Sequence, residues 1–366
     1  MRQKEGPEKL IRSHLIDMKP YAYVAPLEAA PDESGLSIDR IIKLDGNENP
    51  YGCSPKVKKA LAEYPYYHIY PDSEQRELRQ ALQSYVGAPA ESIIAGSGSD
   101  ELIDFVMRLF IDPGDTVINC VPTFGMYQFS TDAWGGKTVT IPRDASFGVD
   151  IAEVKRAAGQ RAKVIFIASP NNPSGNVTPK EDLLQLLDLP IVVVLDEAYY
   201  EFSQKTLVPL VREHDNLIVL RTFSKWAGLA GLRVGYGVFP DKIAMHLLRI
   251  KPPYNVNAAA QVAALESLKD LDYLRSTVKS IVAERQRLFD KLSGFRKLKP
   301  RPSEANFILC SVIDHDAERI YQDLKRQGIL IRYFNTPLLK NYIRISVGKP
   351  EHTDALVAAL NDILLK

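Results

Sequence analysis

This chain of 366 residues predicts an α/β protein: a three-layer large domain built on a mixed, mostly parallel sheet, followed by a smaller α+β domain. Three observations carry that expectation. Apolar runs with the length of buried strands, such as VIFIA at 164–168 and IVVVL at 191–195, recur through the middle of the chain. Several are apolar on both faces, as strands covered by helices on each side must be. After about residue 260 the regular alternation of strand and helix gives way to long amphipathic helices and a few isolated strands.

The first forty or so residues are irregular, with prolines at 7, 20, 26 and 31, and read as an arm. SIIAG at 92–96 reads as a strand, and DELIDFVMRLF at 100–110 as a helix with apolar residues on a helical period. TVINCV at 116–121, KTVTIP at 137–142, KVIFIA at 163–168, PIVVVLD at 190–196, NLIVLRT at 216–222 and LRVGYGVF at 232–239 continue the strand series. A single amphipathic helix is expected over roughly 261–292. NFILCSV, a helix over 316–327, ILIRYF, YIRISVG and a terminal helix from about 351 complete the smaller unit.

Composition narrows the function. The chain is 45% hydrophobic and 25% charged, which suits a globular protein of about two domains. Forty-six basic residues against forty-five acidic give a net charge of +1, so no excess field recruits nucleic acid or an anionic membrane. The apolar runs are too short to span a bilayer. The N-terminal MRQKEGPEKLIRSH has no apolar signal core, so a cytoplasmic protein is expected. Cys53, Cys120 and Cys310 are odd in number, far apart and without a C-x-x-C pair, which argues for reduced thiols and for no metal site.

The motifs with chemical content lie at strand ends, where an open α/β sheet binds ligands. In AGSGSDE, 95–101, Gly96 and Gly98 let the backbone approach a ligand, Ser99 can cap the following helix, and the free N–H groups favour a phosphate. In SPNNPSG, 169–175, Asn172 offers an amide donor to a phenolic oxygen. LDEAYYEF, 195–202, ends the most apolar strand with Asp196, a carboxylate that needs a cationic partner there, and Tyr199 can reach the same oxygen as Asn172. TFSKWAGLAGLRVGYG, 222–237, holds Lys225 in an apolar stretch, where burial lowers the pKa of the amine and makes it a nucleophile. Together these features describe a phosphorylated pyridine bearing a phenolic oxygen and an aldehyde. Asp196 holds the ring nitrogen. Ser99, Thr222 or Ser224, and Arg233 hold the phosphate, Phe124 stacks on the ring, and Lys225 forms a Schiff base with the aldehyde.

The ordered set SGSDE, PTF, NNPSG, DEAYYEF, TFSKWAGLAGLRVGY and YIRISVG resembles the fold-type I pyridoxal-phosphate-dependent aminotransferases, and LDGNENPYG at 44–52 and HIYPD at 68–72 resemble their histidinol-phosphate branch. The likeness runs from about residue 20 to the end. It implies pyridoxal 5'-phosphate as cofactor and a homodimer in which Tyr70, and Tyr21 of the arm, cross to the neighbouring subunit. It implies an arm at 1–35, a small domain from 36–70 and 262–366, and a large cofactor-binding domain at 71–261. Gly98 and Asp100 join the implied cofactor set, and Asn47, Arg332 and Arg344 join Tyr21 in holding substrate. Trp226 stands where the family more often has a small residue. The implied reaction passes an amino group between L-histidinol phosphate and 2-oxoglutarate in histidine biosynthesis, with Lys225 moving the Cα proton. An aromatic amino-acid aminotransferase or a threonine-phosphate decarboxylase is the alternative on the same scaffold. A cofactor-binding protein without catalysis is the more remote one.

Overall fold

A computed structural model describes residues 6–24, 26–29, 35–159 and 161–364. The expected arm therefore lies partly outside the described residues, at 1–5, 25 and 30–34. Its described part holds only short helical turns, among them Ser13–Ile16.

The strands are β1 (Ile42–Lys43), β2 (Ile93–Gly96), β3 (Thr116–Val121), β4 (Lys137–Pro142), β5 (Ala162–Ala168), β6 (Val192–Asp196), β7 (Leu217–Thr222), β8 (Gly235–Val238), β9 (Leu298–Pro300), β10 (Phe307–Val312), β11 (Ile329–Leu330), β12 (Arg332–Tyr333) and β13 (Tyr342–Ser346). Seven of them form one sheet in the order β2-β8-β7-β6-β5-β3-β4, in which only β8 runs against its neighbours. The period of two explains how it is buried. Ile165, Ile167, Val193, Leu195, Leu217 and Val219 face one apolar cluster, while Val164, Phe166, Val194, Ile218 and Leu220 face another. Both faces are thus dry, as the doubly apolar runs require. Four further strands form an antiparallel sheet, β12-β13-β10-β9, and β1 pairs in parallel with β11.

Three expectations need correction. The helix expected over 261–292 is two, Ala258–Lys269 and Leu271–Ser293. Asp270 breaks it, because its carboxylate leaves the helix to pair with Lys56 Nζ at 2.7 Å and to accept the Ser54 hydroxyl. The two halves then serve different partners: the first packs on the helices Pro55–Glu63 and Arg76–Val86, the second on β9 and β10. ILIRYF is not one strand. Ile329–Leu330 pairs with β1, and after Ile331 the chain moves to the other sheet, where Arg332 and Tyr333 pair with β13. LRVGYGVF contributes only Gly235–Val238, since Ala230–Leu232 forms a 3-10 turn and Arg233 takes φ 54. Among the described residues no helix is long and apolar enough to cross a membrane.

Candidate active site

The carboxyl ends of β2, β3, β5, β6 and β7 open into a cavity of about 730 Å³, closed on its other side by Tyr21, Asn47, Arg332, Phe334 and Arg344. Lys225 follows β7 and lines this cavity. Its amine donates to Gly46 O at 3.1 Å. Burial pushes it down to about 8; the Glu48 carboxylate opposes that shift and the Arg344 guanidinium adds to it. An amine with so low a pKa has a far larger neutral fraction near physiological pH than an ordinary lysine, and the neutral form is the one a nucleophile or base requires.

Asp196 ends β6, buried to 4% exposure. Burial raises its carboxyl to about 6, while two donors favour the ionised form: the Tyr127 hydroxyl at 2.7 Å and the Ala198 N–H at 3.0 Å. Tyr127 was missed by the sequence reading. It is buried, stacks on Phe166 with ring centres 4.8 Å apart, and in sequence looks like an ordinary core aromatic of the helix Met126–Ala133. Its place three residues after Phe124 in VPTFGMY was the available signal. Phe124 lines the cavity edge-on to Tyr127 and to Tyr21, at 5.6 and 6.5 Å.

Asn172, on the loop after β5, accepts at its Oδ1 from Arg344 Nη1 at 2.6 Å, which leaves its NH2 end as a donor. Tyr199 lines the same cavity and accepts from Asn47 Nδ2 at 3.0 Å. Burial raises its phenol to about 12, so it is a protonated donor at any ordinary pH.

The anion end lies where β2 meets the helix Ser99–Phe110. Ser99 is not the cap: Gly98 is, at φ 79, and no side chain caps that terminus. Glu101 instead accepts the Ser97 N–H at 2.7 Å, so the Ser99 side chain is not committed to capping and lines the cavity. Thr222 and Ser224 also line it, their hydroxyls 2.9 Å apart. Arg233 Nη2 donates to Asp100 Oδ2 at 2.7 Å. Two glycines keep this corner tight. A Cβ on Gly98 would collide with the Arg233 guanidinium, and one on Gly235, which the sequence reading passed over, would lie 2.7 Å from Ser99 N.

Arg344 in β13 is almost wholly buried. It donates to Asn172 and to Asp45 O, its Nε has no partner, and burial brings it down to about 10. An orphaned buried guanidinium nitrogen is costly, and marks a place where an anionic ligand fits. Arg332 is more open and donates to Ala22 O at 3.0 Å and Tyr23 O at 3.4 Å. Those contacts tie the arm to β12, and Tyr21 lines the cavity of its own chain, packed edge-on to Phe124 and Phe129. Tyr70 lies outside the cavity, 76% exposed and stacked on Tyr254 at 4.5 Å. Trp226 is not among the residues lining the cavity either; it is buried and stacked on Tyr85 at 5.5 Å.

A transferase whose sheet ends gather one buried amine, one buried carboxylate and an anion corner is the class that fold and cavity define. The sequence signature of the class I and II aminotransferases matches residues 39–360, and the chain belongs to that family. It is similar to the histidinol-phosphate aminotransferase of Dehalococcoides mccartyi, 54% identical over 325 residues covering 89% of this chain and 91% of the relative. It is similar too to the chloroplastic histidinol-phosphate aminotransferase of Nicotiana tabacum, 47% identical over 98% of this chain and 88% of that one. The crystal structure of the Sinorhizobium meliloti histidinol-phosphate aminotransferase in complex with pyridoxal-5'-phosphate superimposes with a TM-score of 0.88, at 28% identity, covering 97% of this chain and 98% of that one.

Proposed function

We propose that the chain transfers an amino group between L-histidinol phosphate and 2-oxoglutarate, giving imidazole acetol phosphate and L-glutamate in histidine biosynthesis, with pyridoxal 5'-phosphate as cofactor. The observation that carries this reading is the cavity itself, which holds a buried amine of lowered pKa, a buried carboxylate and two arginines. The names of relatives about half identical over most of the chain support the substrate.

The donor set fits the cofactor. Ser99, Thr222, Ser224 and Arg233 would hold its phosphate, with Gly98 and Asp100 shaping that corner. Asp196 would hold the proton on the ring nitrogen, kept in place by Tyr127, while Asn172 and Tyr199 would meet the phenolic oxygen and Phe124 a ring face. Bound there, the cofactor supplies an aldehyde that amines attack and a protonated ring that withdraws electrons from the substrate. Lys225 Nζ would hold the cofactor covalently at that aldehyde and, when free, would take the proton from the substrate Cα and return one. Arg344 meets the glutamate carboxylate in one half-reaction and, with Arg332 and Tyr21, the phosphate of histidinol phosphate in the other. One pocket therefore serves both substrates by offering guanidinium groups that accept either anion.

The reading includes a cytoplasmic homodimer in which Tyr70 reaches the neighbouring subunit's phosphate corner, and the division into an arm at 1–35, a small domain from 36–70 and 262–366, and a large domain at 71–261. The exposed run of Tyr66, Tyr67, Ile69 and Tyr70 supports an interface there, since apolar patches of that kind are usually covered by a partner. A panel of amino donors with 2-oxoglutarate tests the substrate. Histidinol phosphate should have the highest kcat/KM, with no carbon dioxide released from any donor. Preference for phenylalanine would make the enzyme an aromatic aminotransferase, and carbon dioxide from phosphothreonine would make it a decarboxylase.

A further inference from the structure

Asn47 occupies a backbone position with φ 56 and is 1% exposed. Every polar group it has is used. Its N–H donates to Ser346 Oγ at 2.9 Å, its C=O accepts from Asn306 Nδ2 at 2.8 Å, its Oδ1 accepts from the Ser346 hydroxyl at 2.8 Å, and its Nδ2 donates to the Tyr199 hydroxyl at 3.0 Å. The orientation of the amide follows from Ser346. That hydroxyl already accepts the Asn47 N–H and has one proton to give, which goes to Oδ1 and turns the NH2 end toward Tyr199.

A phenol likewise has one proton. With Asn47 on its accepting side, Tyr199 keeps that proton for another acceptor, and none among the described residues takes it. The charged and titratable groups around it are Arg344, Asp196 and Tyr21, and the ring of Phe307 stands edge-on at 5.2 Å. Arg344 has only protons to offer, Asp196 accepts from Tyr127 and Ala198 instead, and among the described residues no hydrogen bond joins Tyr199 to Tyr21. The acceptor that remains is a ligand in the cavity.

We infer that Asn47, expected from sequence to touch substrate, is a positioning residue that holds the Tyr199 hydroxyl as a hydrogen-bond donor toward the phenolic oxygen of the bound cofactor. The inference rests on the cofactor reading above. It also means that β13, through Ser346, and the turn before β10, through Asn306, set the direction of a proton on the loop after β6.

The test is a pH titration of the absorbance band of the cofactor-loaded protein, because a donor to the phenolic oxygen stabilises its anion and lowers the midpoint. Asn47→Asp and Asn47→Gly both tolerate positive φ, so neither strains the backbone. The new carboxylate of Asn47→Asp takes the Tyr199 proton away from the cofactor, and the midpoint should rise by about one unit more than it does in a Tyr199→Phe background, where the added charge acts but there is no proton to divert. Asn47→Gly should give a smaller rise that disappears in the Tyr199→Phe background. Equal shifts in the two backgrounds, or no shift, overturn the inference while the native band leaves the cofactor reading intact. A native protein with no such band overturns both.

Discussion

Lys225 makes a claim about pH at the scale of one residue. In the cofactor-free fold its amine titrates near 8, against 10.5 for a free lysine side chain, because burial disfavours the ammonium. The unfolded chain therefore binds more protons between those values, and stability rises with pH across that window; below pH 8 the cost is fully present. The size of the effect is about 3 kcal/mol. Lys225→Met abolishes it, so the stability advantage of that variant in urea unfolding should be largest near pH 7.5 and shrink toward pH 10. An advantage that stays constant over that range would falsify the buried-amine reading. Arg332 makes a second claim. Replacing it with Ala should weaken histidinol phosphate by about 1.5–3 kcal/mol, the scale of a hydrogen bond to a charged group, with glutamate less affected and phenylalanine least. Ratios of kcat/KM between substrates cancel general damage; equal losses on all three would remove Arg332 from phosphate binding.

Single elements show what the sequence could and could not disclose. Gly98 has φ 79 and no room for a Cβ against Arg233, so Gly98→Ala should cost about 1 kcal/mol or more of stability and lower cofactor affinity at least tenfold. Equilibrium dialysis with pyridoxal phosphate reads the second effect, and native affinity in the variant would contradict the tight corner. That glycine was legible because a turn between strand and helix demands it. The strands were legible for a similar reason: runs such as Val164–Ala168 and Val192–Leu195 are apolar at every position, and only a sheet covered on both faces buries them. The break at Asp270 was not legible, since its cause is a pairing with Ser54 and Lys56 more than two hundred residues earlier. Nor was the division of ILIRYF between two sheets, which pairing partners decide and periodicity does not. At the cavity, residues with an unusual context stood out in sequence, such as Lys225 among alanines and glycines. Tyr127 did not, because its one unusual feature is the carboxylate it touches.

For the whole molecule the cavity lies between the carboxyl edge of one sheet and β12 and β13 of another, so neither sheet carries the site alone. The proposed dimer adds a third contributor, Tyr70 of the neighbouring subunit. Mixing two disabled forms tests that sharing. In a hybrid of Lys225→Ala and Tyr70→Ala subunits, one site lacks both residues and the other has both, so mixed dimers should recover activity above that of either parent. If each chain uses its own Tyr70, no hybrid site has both residues and mixing adds nothing.

Borohydride reduction of the cofactor-loaded native protein, followed by mass mapping of the labelled peptide, puts the central assignment to the most direct test. The buried amine at the end of β7 predicts one adduct, on Lys225, in the peptide containing TFSKWAG. Lys225→Ala should stay folded, bind the cofactor without a covalent adduct and lose multiple-turnover transamination. An adduct mapped to any other lysine, or full turnover without Lys225, would contradict the site described here.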